Sequence, residues 1–283
     1  MSKLVSANFS RLFRNKFFWI CFALVIGVAA FIAIDFRMSY SWSPQYFSNE
    51  TSEACFKYTP VLAGIVALFV SLFIGEEYSN KTIRNKIASG YSKTRVYGAN
   101  WLVCAVTGIL FYVVFFLTIA LPIAPWAQLM KYNGYIITRF LKRATVNLFA
   151  VLAIVSVSVF IAMLVKNRIA GIVATVVCML ILFVASEIMA EGMGQPKTVM
   201  VTDPESGMVV EQANPDYEPS AKQAVIQMIM DVQPFGQILQ AKIGRLGWTK
   251  EGAQAILLPI YSCLVSLLFS FSGAYLFGKR DLE

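Results

Sequence analysis

Long apolar stretches recur along the chain, each near the roughly 20 residues that a helix needs to cross a bilayer core. The first covers 17–34, entered by Phe17, Phe18 and Trp19. Those aromatics, with no small-residue cleavage site behind them, predict a retained helix instead of a removed leader. The second covers 58–75. No charge occurs from 96 to 130, too long for one helix, but Pro122 and Pro125 interrupt the run and place the third span at 96–121. The fourth is 144–165, and the fifth is 169–186 after the short turn Lys166-Asn167-Arg168. The sixth is 255–278, with Pro259 near its start. The pattern predicts an all-α integral membrane protein, one transmembrane domain over 1–283.

The segments between the spans also carry periodicity. Over 1–16, Val5, Phe9, Leu12 and Phe13 share one helical face, and Lys3, Arg11 and Arg14 share the opposite one. That pattern predicts an amphipathic helix lying in the membrane interface, in contact with lipid head groups; a solvated basic tail is the competing reading. Over 76–95, Ser79 or Asn80 is placed to start a short helix and Gly90 to end it. Ile83 and Ile87 form an apolar stripe among Glu76, Glu77, Lys81, Arg84 and Lys86. This suits a protein-docking element, against a plain loop whose cations only set topology.

The 187–254 segment is the largest part outside the spans. Its 198–202 and 208–210 runs flank Asp203-Pro204-Glu205-Ser206-Gly207 and predict a β-hairpin. A polar linker over 214–219 follows. Ser220 then opens an amphipathic helix with Ala224, Val225, Met228, Ile229 and Val232 as its apolar side, broken at Pro234. Two short apolar helices around a Pro-Gly break fit re-entrant elements before the last span, and an exposed loop is the alternative. Met228, Ile229, Phe235 and Gln237 are the candidates for an outer gate.

Composition agrees with the span pattern. The chain is 58% hydrophobic and only 14% charged, too few charges for a water-facing surface of 283 residues. This excludes an ordinary soluble enzyme and a disordered chain. Net charge is +8. Divided by the spans, the side holding both termini, 76–95 and 166–168 carries +9 and the other side −1. The basic excess is therefore a topology signal, not a sign of nucleic-acid binding, and it places both termini in the cytoplasm. Lys131, Arg139, Lys142 and Arg143 run against that rule, as a basic outer loop over 131–143. There is no histidine, and the five cysteines are scattered, Cys55 alone outside an apolar run. Neither a metal site nor a disulfide framework is indicated.

The span interiors hold no charge, which disfavours ion or proton coupling. No nucleophile–base pair stands out for membrane enzymology. The run from Gly273 to Lys279 has phosphate-loop spacing, but Arg280 stands where a Ser or Thr must hold magnesium, and the run lies within a predicted membrane helix. This chain is thus expected to bind no nucleotide and to need no cofactor of its own.

Taken together, the amphipathic N-terminal helix, the segment from Gly75 to Ile87, the short turn between spans four and five, the re-entrant pair and the ending Phe277-Gly278-Lys279-Arg280-Asp281-Leu282 resemble the permease subunits of bacterial type-2 ABC exporters. The basic loop at 131–143 and the hairpin at 198–210 depart from that pattern. The resemblance implies an elbow helix at 1–16 and a cytoplasmic coupling helix within 76–95 that docks into a separate ATPase subunit, which binds the ATP and magnesium. It implies Ile83 and Ile87 as the docking knob, Arg84 and Lys86 as rim charges, and Glu76 and Glu77 as anchors near the membrane. It further implies a bacterial plasma-membrane location and a pair of permease chains, a homodimer since no internal repeat is present, with a pair of different permeases as the alternative. Apolar span walls suit hydrophobic or amphipathic cargo, and the sequence resembles exporters of bacteriocin, lantibiotic or phenol-soluble modulin peptides. Drug or lipid export, a secondary carrier and a membrane scaffold are the alternatives.

Overall fold

The computed structural model describes residues 2–40, 56–123, 134–194, 197–202, 209–215, 220–243 and 254–279. Expectations resting on Cys55, Pro125, Lys131, the 203–207 turn, the 216–219 part of the linker and 280–283 fall outside the described residues. In chain order the elements are α1 (Ser2–Arg14), α2 (Lys16–Tyr40), α3 (Thr59–Ser79), α4 (Thr82–Ala88), α5 (Lys93–Ile123), α6 (Gly134–Leu164), α7 (Arg168–Gly194), β1 (Thr198–Thr202), β2 (Val209–Ala213), α8 (Ser220–Val232), α9 (Pro234–Ile243) and α10 (Gln254–Lys279). Among the described residues, six helices are long and apolar enough to cross a membrane: α2, α3, α5, α6, α7 and α10. They correspond one to one with the apolar stretches. The chain is a multi-pass membrane protein.

Most helices outrun their apolar stretches. α2 continues past Asp35 and Arg37, α3 past Glu76 and Glu77, and α7 to Gly194. α5 passes Pro122 by one residue, since a proline in the last turn removes little of the hydrogen-bond ladder. α6 begins at Gly134, not 144, so Arg139, Lys142 and Arg143 lie on regular helix and not in a loop. Hydropathy marks where hydrocarbon ends; the hydrogen-bond ladder runs on through polar residues with good helix propensity. The β1–β2 hairpin is antiparallel, Thr198 opposite Ala213 and Thr202 opposite Val209, its second strand reaching three residues beyond the expected 210.

α6 is the hub. Of its most apolar stretch 72% is buried, against 22% for α7 and 17% for α10. Val146, Ala150, Val151, Ala153, Ile154, Val155 and Val159 let α3, α5, α7, α9 and α10 approach it. Its buried Ser156 and Ser158 return their hydroxyls to the carbonyls of Leu152 and Ile154 at 3.0 and 2.7 Å, leaving no polar atom of theirs unbonded. Phe18, Phe69 and Phe111 form an aromatic layer joining α2, α3 and α5, with centroids 5.4–6.2 Å apart. α7 and α10 expose long apolar stripes, such as Val173, Val177, Leu180 and Val184, and Leu264, Leu267 and Phe271. Gly273, in the run with phosphate-loop spacing, has a packing role. A Cβ there would lie 2.1 Å from the Tyr97 hydroxyl of α5.

Candidate coupling site

The end of the bundle where α1 lies and α10 finishes is built around the junction of α3 and α4. The α3 ladder closes when the Asn80 amide donates to Glu76 O at 3.0 Å. Lys81 then takes a left-handed conformation at φ 54° and turns the chain into α4. Ser79 and Asn80 therefore do not cap α4, as the sequence pattern had predicted. They end α3, because the preceding helix extends over them. At the other end of α4, Gly90 sits at φ 86°. The Gly90 amide donates to Ile87 O at 2.9 Å and the Tyr91 amide to Lys86 O at 3.3 Å, the paired bonds of a Schellman stop. Gly90 thus ends the helix as expected.

Beneath α4 lies a buried ionic knot. Glu77, 1% exposed, accepts from the Arg11 guanidinium and the Lys86 ammonium on one carboxylate oxygen. Its other oxygen accepts from the Asn100 amide. Asn8 closes the ring, donating to Asn100 Oδ1 and accepting from Lys86 Nζ, each at 2.7 Å. One carboxylate therefore ties α1, α3, α4 and α5 together. Arg11 also lies 3.9 Å over the Phe73 ring. Beside it, Glu76 accepts from the Asn15 amide, while Asn15 Oδ1 caps α2 through the Phe17 amide at 2.7 Å. Burial holds the Lys86 ammonium below its ordinary pKa, opposed by the attraction of Glu77. Such a cluster is stable only when complete, since a lone buried charge is expensive.

This geometry reassigns several expected roles. Ile83 is 1% exposed and belongs to the bundle core, with Ile87 half-buried against it. Both hold α4 down in this chain and do not project as a knob; a short helix has only one apolar stripe, and the bundle uses it. Lys81, Arg84, Asn85 and Ser89 form the exposed face. Lys86 is not a rim charge but a member of the knot, and Glu77 is its centre. α1 is also rotated from its expected seating. Leu4, Asn8 and Leu12 are buried, Val5, Phe9 and Arg11 half-buried, and Phe13 and Arg14 exposed. Glu77 turns Arg11 inward as a donor, and Asn100 and Lys86 turn Asn8 inward. The Val5–Phe9–Phe13 flank is left at the side, where Phe13 meets Phe18 edge-on at 5.8 Å. Asn8, Asn15 and Asn100 escaped the sequence reading. The available signal was Asn100, a lone amide in an otherwise apolar stretch.

At the opposite end, α8 and α9 form a corner wedged among α6, α7 and α10. Gly236 makes the corner possible, because a Cβ there would lie 2.5 Å from Met230 O. Gln233 caps α9 by accepting from the Gly236 amide at 3.0 Å and fastens the corner to α7 by donating to Leu182 O at 2.7 Å. Phe235 and Gln237 are buried, Gln237 accepting from the Ser262 hydroxyl of α10 at 2.6 Å. Met228 and Ile229 are exposed, so the four gate candidates do not converge. α8 is inverted relative to the hydrophobic pattern. Val225, Met228, Ile229 and Val232 face outward, while Gln227 and Asp231 are buried with Gln240, which donates to Asp231 at 3.0 Å. Burial raises the Asp231 pKa, partly offset by the amides of Gln240 and Gln227. In a membrane the apolar side of a helix need not point inward, because lipid is as apolar as a core.

Between α3 and α7 runs an apolar cleft of about 240 Å³, walled by Val61, Gly64, Ala67, Met179 and Phe183 and closed by Phe235. Comparison with known proteins gives a match to the family model for ABC-2 family transporter protein over residues 4–182, more than half of the chain, from α1 through most of α7. No curated protein matches the chain.

Proposed function

The chain belongs to the ABC-2 family of transporter proteins, and from that premise we propose that it works as an exporter, moving amphipathic peptides outward across a bacterial plasma membrane. It is the membrane-spanning subunit of an ABC transporter, whose ATP-binding partner is a separate subunit. In the proposed arrangement both termini and α4 are cytoplasmic, a reading supported by the +9 against −1 charge division. α4 is the coupling helix and α1 the interfacial elbow. ATP and magnesium act in the partner, which reaches this chain through the exposed face of α4 around Arg84. A second copy of the permease completes the transporter.

The observation that carries this reading is the Glu77 knot. When a partner pulls on α4, the force cannot be absorbed by a loose loop. Lys86 and Glu77 join α4 to α3, Asn100 carries the link to α5, and Asn8 and Arg11 carry it to α1. The helices therefore move as one body, which is what converts ATPase closure into a change at the opposite end. Uncharged span interiors and the apolar α3–α7 cleft favour amphipathic cargo over sugars or ions.

Affinity purification of the tagged chain in mild detergent, with mass spectrometry, tests the partner. A P-loop ATPase should co-purify with the parent chain and be lost with Arg84→Glu while the chain stays folded. Recovery of no ATPase with a folded parent chain would sink the α4 assignment. For cargo, ATPase activity of the reconstituted complex should rise with amphipathic peptides; stimulation by drugs or lipids alone would overturn the peptide assignment.

A further inference from the structure

A second site lies at the same end as the knot, beside the first turn of α2. The end of α3 and the turn between α6 and α7 enclose an open recess of about 650 Å³. Its walls are Tyr78 and Ser79, the turn residues Lys166 and Arg168, and Ile169 and Ile172. Among the described residues that line it, both charged side chains are cations and none is a carboxylate. One cation is held in place by the fold. Gly75 has no side chain, and a Cβ there would lie 2.9 Å from Arg168 Cγ, so the Arg168 stem lies directly on α3. Its guanidinium sits 5.4 Å from the centre of the Phe17 ring, in the first turn of α2. The Tyr78 hydroxyl donates to Met163 O at 2.5 Å and keeps that wall fixed. Asn167 already caps α7, accepting from the amides of Ile169 and Ala170 at 2.9 and 3.2 Å. A ligand would therefore meet the side-chain cations and the Ser79 hydroxyl more than the helix amides.

The recess is half polar and half greasy. The span helices α3 and α7 end and begin there, which sets it at the boundary between hydrocarbon and water. Ile169 is 73% exposed and extends the apolar wall toward the hydrocarbon. Two cations and a hydroxyl match a phosphate, and the isoleucines match the first methylenes of a chain attached to it. A free phosphate would use only the first half, and an acidic protein segment would leave Ile169 and Ile172 in the wrong surroundings. We propose that this recess binds the phosphate of an anionic phospholipid, with the lipid's acyl chains lying along Ile169 and Ile172. A lipid seated there touches α3 one helical turn before α4, so it would brace the coupling end at the junction of α2, α3 and α7.

The test uses the full-length chain in nonionic detergent, with mixed micelles containing phosphatidylglycerol or phosphatidylcholine, read by thermal unfolding and by native mass spectrometry. Phosphatidylglycerol should stabilise the chain saturably and remain bound, while phosphatidylcholine and inorganic phosphate at equal concentration should not. Lys166→Gln with Arg168→Gln should weaken phosphatidylglycerol binding about tenfold or more. Lys142→Gln, at the opposite end of α6, should leave it unchanged. Equal binding by the double variant would overturn the proposal, as would equal protection by inorganic phosphate. So would unchanged lipid binding with loss of the co-purified ATPase, which would give these cations to the protein partner. Should the double variant not fold, a phosphatidylglycerol with a photoreactive head group decides on the parent chain. Labelling within 166–172 supports the site, and its absence there rejects it.

Discussion

Glu77 shows how much can rest on one side chain. Its carboxylate is fully buried against Arg11 and Lys86, which are themselves largely covered. Glu77→Gln leaves those cations in the bundle without a counter-charge, and the expected loss is about 3 kcal/mol or more. Thermal unfolding in detergent measures it, and a variant as stable as the parent would show that the knot is not holding the four helices. Asp231 behaves oppositely. Its folded-state pKa is raised by burial, so the folded chain holds that proton more tightly than the unfolded chain does. The stabilisation is fully present below the ordinary value of 3.8 and is lost as pH rises through the folded-state value. Asp231→Asn keeps an acceptor for Gln227 and Gln240 without the charge. It should therefore melt at or above the parent at neutral pH, with the advantage vanishing in acid. A lower melting temperature at neutral pH would contradict this.

The short helices draw their roles from which face the bundle takes. α4 has one apolar stripe, and burial of Ile83 means that Ile83→Asp should unfold or loosen the cluster, whereas Arg84→Glu should only undock the partner proposed to bind there. Melting curves and ATPase co-purification separate the two effects, and identical behaviour would argue against the assigned faces. The α8–α9 corner makes a similar demand at Gly236. Its missing Cβ faces backbone atoms of Met230, which cannot rotate aside as a side chain could. Gly236→Ala should cost roughly 1–3 kcal/mol of stability by prising the corner open. A neutral outcome in thermal unfolding would mean that the corner is looser than its hydrogen bonds to α7 and α10 imply.

At the level of the whole molecule, α6 is enclosed while α7 and α10 are largely uncovered. Such apolar stripes face either lipid or another copy of the chain, and the proposed transporter needs a second copy. Light scattering of the detergent-solubilised complex, corrected for bound detergent, should give the mass of a permease pair with its ATPases; a single permease per complex would reject the homodimer. The two ends of the molecule are also built differently. The α3–α4 end is tied by a buried carboxylate through Glu77, and the far end by the amides of Gln233, Gln237 and Gln240 with a half-exposed Lys242–Glu187 pair between α9 and α7. Charge-assisted bonds are the stronger kind, and those of Glu77 are the buried ones, which braces the end where the partner is proposed to dock.

Much of this architecture was legible in the chain itself. The six spans follow from hydropathy because a lipid-exposed backbone must satisfy its own hydrogen bonds, and a helix of sufficient length is the simplest way to do so. Local chemistry likewise fixed the Gly90 stop, the Lys166–Arg168 turn, the β1–β2 hairpin and the break at Pro234. Facing was not legible. The periodicity of α1, α4 and α8 located a stripe on each, but a stripe does not say whether core, lipid or partner covers it. In α8 the polar side went inward because Gln240 waits there, in α1 Arg11 was turned by Glu77 and Asn8 by Asn100, and in α4 the bundle took Ile83 while Lys86 met Glu77. Each was settled together with a buried polar group contributed by another helix 9 to 92 residues away in sequence. Local propensity decides what the chain forms at each place. Only tertiary packing, which brings distant donors to buried acceptors, decides which side of each element becomes the inside.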